Sequence, residues 1–287
     1  MRSPGAPGAD AMSEAQTCYR HPGRETRVQC SSCGRPICPD CMQPTPVGMR
    51  CPECGAQKTK VRTAASVAAG ATPVVTFAMI AACVVAYLAE GGIGVTGAGG
   101  SLVRNYALWG PAVEIGDWWR LATYGFLHAG LLHIGFNMFL LFLLGRELEP
   151  QLGSGRFAAL YVAALLAGAF GALVFDPNAV TVGASGAIFG VMGAAAVMLW
   201  RRGMNPLHTD IGMLIVFNLV LGFVIPNVSV GGHIGGLVGG ALAGLGIAVS
   251  QERRAPWIGW LACVVVAAVA VVGSELVVRS GAGGLGL

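Results

Sequence analysis

The sequence predicts an all-α polytopic membrane protein, six helices plus a seventh at the C-terminal side, preceded by a small cysteine-rich module. Three observations predict it. Of 287 residues, 54% are hydrophobic and only 11% charged, where a soluble domain carries about a quarter charged. Beyond residue 72, apolar stretches near the ~20 residues that a spanning helix needs recur between short polar connectors. Seven of the nine cysteines fall between Cys18 and Cys54. The net charge of +4 comes without a basic stripe interleaved with aromatics, so no nucleic-acid partner is expected.

Residues 1–16, polar and rich in Gly, Ala and Ser, read as a disordered tail that lacks the apolar core of a secretory signal. Residues 17–55 form the cysteine-rich module, and 56–72 a basic, Ala-rich linker. Spans are expected at 73–89, 129–146, 156–175, 184–200, 210–226, 231–250 and 256–278. The seventh, within 251–287, is followed by a short tail. Between the first and second lies a long Gly-rich loop, 90–128, with Trp109, Trp118 and Trp119. Tryptophan favours the membrane–water boundary, so a partly embedded structure is expected there. Lys58, Lys60 and Arg62 precede the first span; Arg146 and Arg156 lie between the second and third, Arg201 and Arg202 after the fourth, Arg253 and Arg254 after the sixth. The alternate connectors hold only Arg104 and Arg120, both in the long loop. Basic connectors stay inside. The N-terminus is therefore expected in the cytoplasm and the C-terminus outside, at the plasma membrane.

The module reads Cys18-x2-His21, Cys30-x2-Cys33, Cys38-x2-Cys41 and Cys51-x2-Cys54. A two-residue gap lets both side chains of a pair reach one tetrahedral Zn²⁺, and two pairs close a site. Eight ligands make two closed sites, so two structural zinc ions are expected. Disulfides are the alternative, and a reducing cytoplasm disfavours them. The arrangement resembles B-box-like zinc fingers, which implies that pairs one and three share one metal and pairs two and four the other. The expected role is recruitment of a cytoplasmic partner or regulation of the core.

Polar groups inside a bilayer are costly and default to a functional reading. They are His128, His133, Asn137, Ser185 and His233. Singly, each reads as interhelical hydrogen bonding. Jointly they differ, because spans two, four and six start on the same side and each carries its polar group near that start. A serine hydroxyl needs a base to become nucleophilic, and histidine supplies one near neutral pH. Ser185 lies in Gly183-Ala184-Ser185-Gly186, with small neighbours and a helix N-terminus whose free N–H groups favour negative charge. His133 and Asn137, four apart, share a helical face and can both donate to an oxyanion. Gly232, Gly236, Gly240 and Gly244, with Gly186 and Gly190, permit close packing of spans four and six.

These residues resemble the rhomboid family. The matches are Trp119-Arg120, His128, His133-x3-Asn137, Glu149 with Gly153-Ser154-Gly155-Arg156, Gly183-Ala184-Ser185-Gly186, and Gly232-His233-x2-Gly236-x3-Gly240, in family order. The resemblance covers roughly 73–250 and implies a six-helix core; a seventh helix occurs in some members. It implies an intramembrane serine endopeptidase with a Ser185–His233 dyad and no carboxylate third member. His133, Asn137 and the Ser185 backbone N–H would form the oxyanion hole. Single-pass membrane proteins in the bilayer would be the substrates, cut in or near their spanning helix, with span five gating entry. Phe189 stands where the family often has Tyr and would pack under His233. The cysteine module lies outside the shared core.

Other readings are weaker. Gly92-x-Gly94-x2-Gly97 matches a dinucleotide fingerprint without a βαβ context, and His128 and His133 lack the adjacent Glu of an HExxH site. A proton- or cation-coupled transporter would need acidic residues deep in the spans, and none lies there. A catalytically silent relative that binds membrane proteins is the remaining alternative, against which both Ser185 and His233 are retained.

Overall fold

A computed structural model describes residues 15–45, 48–56, 72–91, 100–226 and 228–281. The tail at 1–14, most of the linker, the glycine fingerprint at 92–97 and the end of the C-terminal tail lie outside the described residues. The chain divides into two compact units, residues 1–63 and 64–287.

The first unit contains two small antiparallel hairpins, β1 (Gln16–Cys18) with β2 (His21–Thr26), and β3 (Gln43–Thr45) with β4 (Gly48–Arg50), followed by the one-turn helix α1 (Pro52–Ala56). Its interior consists of Cys18, Cys30, Cys38, Cys41, Cys51, Cys54 and Ile37, with Tyr19 and Met42 against them. One isoleucine and six sulfurs are too little apolar matter to hold a unit of this size by burial alone.

The second unit is helical. Seven long helices run in order: α2 (Val74–Ala89), then, after the long loop, α6 (Leu131–Leu152), α7 (Ser154–Phe175), α8 (Ser185–Arg201), α9 (Asp210–Val224), α10 (Val230–Glu252) and α11 (Pro256–Ser280). The loop contains the short helices α3 (Ser101–Tyr106), α4 (Gly110–Glu114) and α5 (Arg120–Thr123). By length and composition α6, α7, α10 and α11 can each cross a membrane, whereas α2, α8 and α9 are shorter.

One boundary departs from expectation. Helix α6 continues to Leu152 and meets α7 across the single residue Gly153. Arg146 therefore sits within α6 rather than in a connector. The physical reason is Gly153, whose φ of 82° turns the chain at once in the left-handed region, and Glu149, whose carboxylate is satisfied inside the fold. Glu149 is 1% exposed. It accepts hydrogen bonds from the N–H groups of Val75 and Thr76 (2.9 and 2.8 Å), the Thr76 hydroxyl (2.7 Å) and the Ser154 hydroxyl (2.6 Å). It thus caps the first turn of α2 from another helix, where a negative charge meets the positive end of the helix dipole.

The centre of the bundle is glycine on glycine. A Cβ on Gly236 would lie 2.0 Å from the Gly186 carbonyl oxygen, and one on Gly240 2.1 Å from that of Gly190. Helix α10 also runs against α7, where a Cβ on Gly235 would lie 2.4 Å from the Ala167 carbonyl oxygen. Helix α11 packs on α7 and α10. Helix α9 differs from the rest: the only residues it buries are Gly212 and Gly222.

In the long loop, Arg120 is buried and donates to Asp117 Oδ2 (2.9 Å) and to the carbonyls of Ala107 (2.9 Å) and Arg104 (3.0 Å). Leu108 exchanges two backbone hydrogen bonds with Thr181, and Gly183 N–H donates to the Tyr124 carbonyl. The loop therefore fixes the segment that leads into α8. Trp109, Trp118 and Trp119 stand at its surface.

Replacing Glu149 by Ala leaves three donors of α2, two of them buried, and the Ser154 hydroxyl without this acceptor. The expected loss is about 3 kcal/mol or more, read as a lower unfolding temperature in detergent, with Glu149→Gln intermediate between the parent and Glu149→Ala.

Candidate active site and metal centre

Ser185 opens α8, so the amide groups of its first turn have no intrahelical acceptor. His233 lies in the first turn of α10, a helix capped by the Ser229 hydroxyl, which accepts from Gly232 N–H at 3.2 Å. The glycine contacts of α8 and α10 set these two helix starts side by side, and His233 Nε2 meets Ser185 Oγ at 3.0 Å. Phe189, one turn into α8, stacks on the imidazole with ring centroids 4.2 Å apart and planes 19° apart. His233 Nδ1 is buried without a hydrogen-bond partner among the described residues. Nε2 as acceptor from the serine hydroxyl requires the proton of the neutral ring on Nδ1. The arrangement can therefore move the serine proton onto the ring.

The third helix start brings His133. Its Nδ1 accepts from Ala129 N–H at 3.3 Å, which leaves Nε2 as the protonated nitrogen and a donor. That nitrogen faces Gly183. A Cβ built on Gly183 would lie 2.8 Å from His133 Nε2 and 3.8 Å from Ser185 Oγ. Gly183 also has φ 123°, which side chains rarely adopt. The missing side chain opens a space bordered by the donor and the hydroxyl.

Asn137 is buried one turn further along α6. Its Nδ2 donates to the His133 carbonyl at 2.8 Å, and its Oδ1 has no hydrogen-bond partner among the described residues. His128 is buried and lies edge-on to His133 with ring centroids 5.1 Å apart. Gly186, Gly236 and Gly240 line the α8–α10 contact below the pair. Trp119, Arg120 and Glu149 stand apart. Trp119 Nε1 donates to the Asn105 carbonyl at 3.3 Å. Arg120 braces the loop, and Glu149 is sixteen residues along α6 from His133, roughly 24 Å by helical rise. Two further neighbours belong to none of the motifs. Tyr124 is buried under Gly168 and Gly186 and donates to the Leu165 carbonyl at 2.8 Å. Gly222 on α9 faces His233 Nδ1. Their only sequence signal is a small or polar residue in an apolar run, which is too common to single out.

In the first unit the eight cysteine and histidine ligands fall into two groups, Cys18, His21, Cys38 and Cys41, and Cys30, Cys33, Cys51 and Cys54, with the ligand atoms of each group all within 4.8 Å of one another. The pairing is thus one with three and two with four. Tetrahedral arms of about 2.3 Å place sulfurs roughly 3.8 Å apart. The separations fit a metal ion: Cys18 to Cys41 is 3.9 Å, Cys33 to Cys51 is 3.8 Å, and His21 Nδ1 lies 3.3 Å from Cys38 and 3.5 Å from Cys41. The charges also fit. Burial pushes the Cys18 and Cys30 thiols up, but backbone N–H groups around them outweigh it and bring both down to about 6. Burial, reinforced by neighbouring sulfurs, raises Cys41 to about 11 and Cys51 to about 12. A bound cation would relieve that mutual repulsion. Arg35 adds positive charge at the second group, donating to Cys33 Sγ at 3.2 Å and Cys51 Sγ at 3.7 Å while lying over the Tyr19 ring.

Residues 115–250 match the Rhomboid domain family model. The chain is 43% identical over 122 residues to rhomboid protease GluP of Bacillus subtilis, covering 42% of this chain and 24% of that protein. It is 35% identical over 146 residues to putative rhomboid protease YdcA of the same organism, covering 50% of this chain and 73% of the relative. It is 39% identical over 129 residues to RHOMBOID-like protein 5 of Arabidopsis thaliana, covering 42% and 41%. The chain thus spans less than half the length of the first and third of these relatives. An all-α bundle with membrane-crossing helices brings Ser185, His233 and His133 together within the residues that the family model matches, and the chain belongs to the rhomboid family as an integral membrane protein with a Cys/His-rich module on its N-terminal side whose two tetrads could each hold a metal ion.

Proposed function

We propose that the chain is an intramembrane serine endopeptidase that cuts single-pass membrane proteins in or near their spanning helices, with Ser185 as nucleophile and His233 as general base. The single observation that carries this reading is the 3.0 Å contact between Ser185 Oγ and His233 Nε2, backed by the Phe189 stack. Two relatives named as rhomboid proteases support it.

His233 Nε2 takes the Ser185 proton as Oγ attacks the scissile carbonyl. The carbonyl oxygen becomes an oxyanion in the space beside Gly183, within reach of His133 Nε2–H and the first-turn amides of α8. Asn137 Nδ2 has a second hydrogen beyond the one given to the His133 carbonyl. The imidazolium returns its proton to the leaving amine, and a water, deprotonated by the same nitrogen, releases the acyl group from Ser185. The 17 residues of α8 rise roughly 25 Å against a hydrocarbon core of about 30 Å. With the Arg201 end at one interface, the serine lies below the opposite surface, where a spanning substrate passes.

Arg201, Arg202, Arg253 and Arg254 lie at the ends of α8 and α10 away from the pair. That distribution supports a cytoplasmic N-terminus, an outward-facing pair and an outer C-terminus, at the plasma membrane. We assign zinc to both groups of the N-terminal module, as closed structural sites held by Cys18, His21, Cys38 and Cys41 and by Cys30, Cys33, Cys51 and Cys54. Bound there, it would cross-link segments that little apolar matter holds.

Ser185→Ala is expected to abolish both labelling by a fluorophosphonate probe and cleavage of a model transmembrane substrate by the purified chain; cleavage at the parent rate would refute the assignment. His233→Ala is expected to abolish cleavage, and Asn137→Ala to lower kcat on the order of 10²- to 10³-fold, as for loss of one oxyanion donor. Elemental analysis is expected to find about two zinc ions per chain, and about one in Cys33→Ser.

A further inference from the structure

The two tetrads of the N-terminal unit share a plan but differ in what they show to solvent. In each, three ligands are buried and one is exposed. The exposed ligand ends the first pair of its tetrad, as His21 in one and Cys33 in the other. An imidazole at that place cannot form a disulfide, whereas a thiolate can. All nine cysteines lie within the described residues, and of these Cys33 alone is exposed. The sulfurs that accompany His21, those of Cys18, Cys38 and Cys41, belong to residues no more than 2% exposed. An oxidant in the surrounding water therefore meets one tetrad through a sulfur and the other through a ring.

Cys33 also has a second sulfur within reach. Its Sγ lies 3.8 Å from Cys51 Sγ, and rotation of the side chains can close that gap to the ~2.05 Å of a disulfide. Arg35 spans the two, donating from Nε to Cys33 Sγ at 3.2 Å and from Nη2 to Cys51 Sγ at 3.7 Å. A thiolate that is exposed and set beside a cation is the kind that oxidants select. Cys30 is placed differently: it is buried, and its Sγ accepts from the Cys51 N–H at 3.3 Å.

We propose that the tetrad of Cys30, Cys33, Cys51 and Cys54 is a site of oxidative modification by peroxide, where Cys33 reacts first and a Cys33–Cys51 disulfide releases the metal ion, while the tetrad containing His21 keeps its own. This rests on the zinc assignment above and is independent of the Ser185–His233 dyad. The Cys33 thiolate attacks one oxygen of hydrogen peroxide. The O–O bond breaks, hydroxide leaves, and Cys33 becomes a sulfenic acid. The Cys51 thiolate then attacks Cys33 Sγ, the S–O bond breaks, and a second hydroxide leaves. Two thiolates have lost two electrons, and one peroxide has gained them as two hydroxides. Half of the four ligands are withdrawn, and the closed site that needs all four is lost. The unit then keeps one of its two metal cross-links. A thiol reductant reverses the change, because the oxidation stops at the disulfide.

The test reads metal and covalent state, and needs no substrate. The full-length, zinc-loaded chain in detergent is treated with hydrogen peroxide beside a chromogenic zinc chelator. The parent is expected to release about one zinc ion per chain and to keep about one. Peptide mapping is expected to find Cys33 joined to Cys51 and the other seven cysteines free to alkylate, and thiol reductant with added zinc to restore the lost ion. Cys33→His gives the second tetrad the composition of the first. It is expected to bind about two zinc ions and to release them at about a tenth of the parent's rate or less. If Cys33→His fails to load, the peptide map of the parent decides alone. No release from the parent, release from the tetrad containing His21, a disulfide that omits Cys33, or a loaded Cys33→His as fast as the parent would overturn the proposal and leave the zinc assignment standing. A parent that neither carries nor takes up zinc would remove that assignment, and this inference with it.

Discussion

A methyl group on Gly236 would sit 2.0 Å from the carbonyl oxygen of Gly186, and the rest of the bundle is arranged around that approach. Lipid gives no hydrophobic drive between helices, so α8 and α10 are held by backbone contact along Gly186, Gly190, Gly236 and Gly240. The same contact fixes the distance between the two helix starts. Adding one methyl group in this seam would separate Ser185 from His233 by more than a hydrogen bond can span. Packing and chemistry are therefore one constraint in this protein, and the glycines that look like helix glue also set the geometry of the candidate site.

Around that seam, two buried charges do the positioning. Glu149 ties the start of α2 to the junction of α6 and α7 through four donors. Arg120 gathers Asp117 and two loop carbonyls, and the loop in turn holds Thr181 and Gly183 through backbone hydrogen bonds. Each group would be expensive to bury alone. Each is instead matched by its own set of partners, Glu149 by donors of α2 and α7 and Arg120 by Asp117 and two carbonyls of the loop. Helix α9 stands outside this network.

The N-terminal unit obeys a different economy. Where the bundle is stable through area and close packing, the small unit has an interior of cysteines and one isoleucine. Its two tetrads alternate along the chain, so each metal would tie a first-half segment to a second-half one. The whole unit then depends on both sites. Arg35 and Tyr19 cover the Cys30–Cys54 tetrad with a cation and a ring, and Arg24 sets a cation beside Cys38 in the tetrad containing His21.

Much of this protein was legible before any tertiary contact. The spans of α2, α7, α8 and α9 stand within two residues of where hydrophobic runs put them, because a bilayer imposes length and apolarity locally. Ser185, His233, His133, Gly183 and the four ligand pairs likewise announce themselves through residue type and spacing. Other features were not legible. The continuation of α6 through Glu149 and Pro150 depends on partners more than seventy positions away at Val75 and Thr76. The grouping of alternate ligand pairs depends on which segments of the first unit meet in space. The protonated nitrogen of His133 depends on the Ala129 amide, and the neighbour of His233 Nδ1 is Gly222, in a helix with no motif at all. Spacing encodes what a residue can do within one or two turns of chain. Which group it meets across the bundle is decided by packing, and that is where the fold added to the sequence.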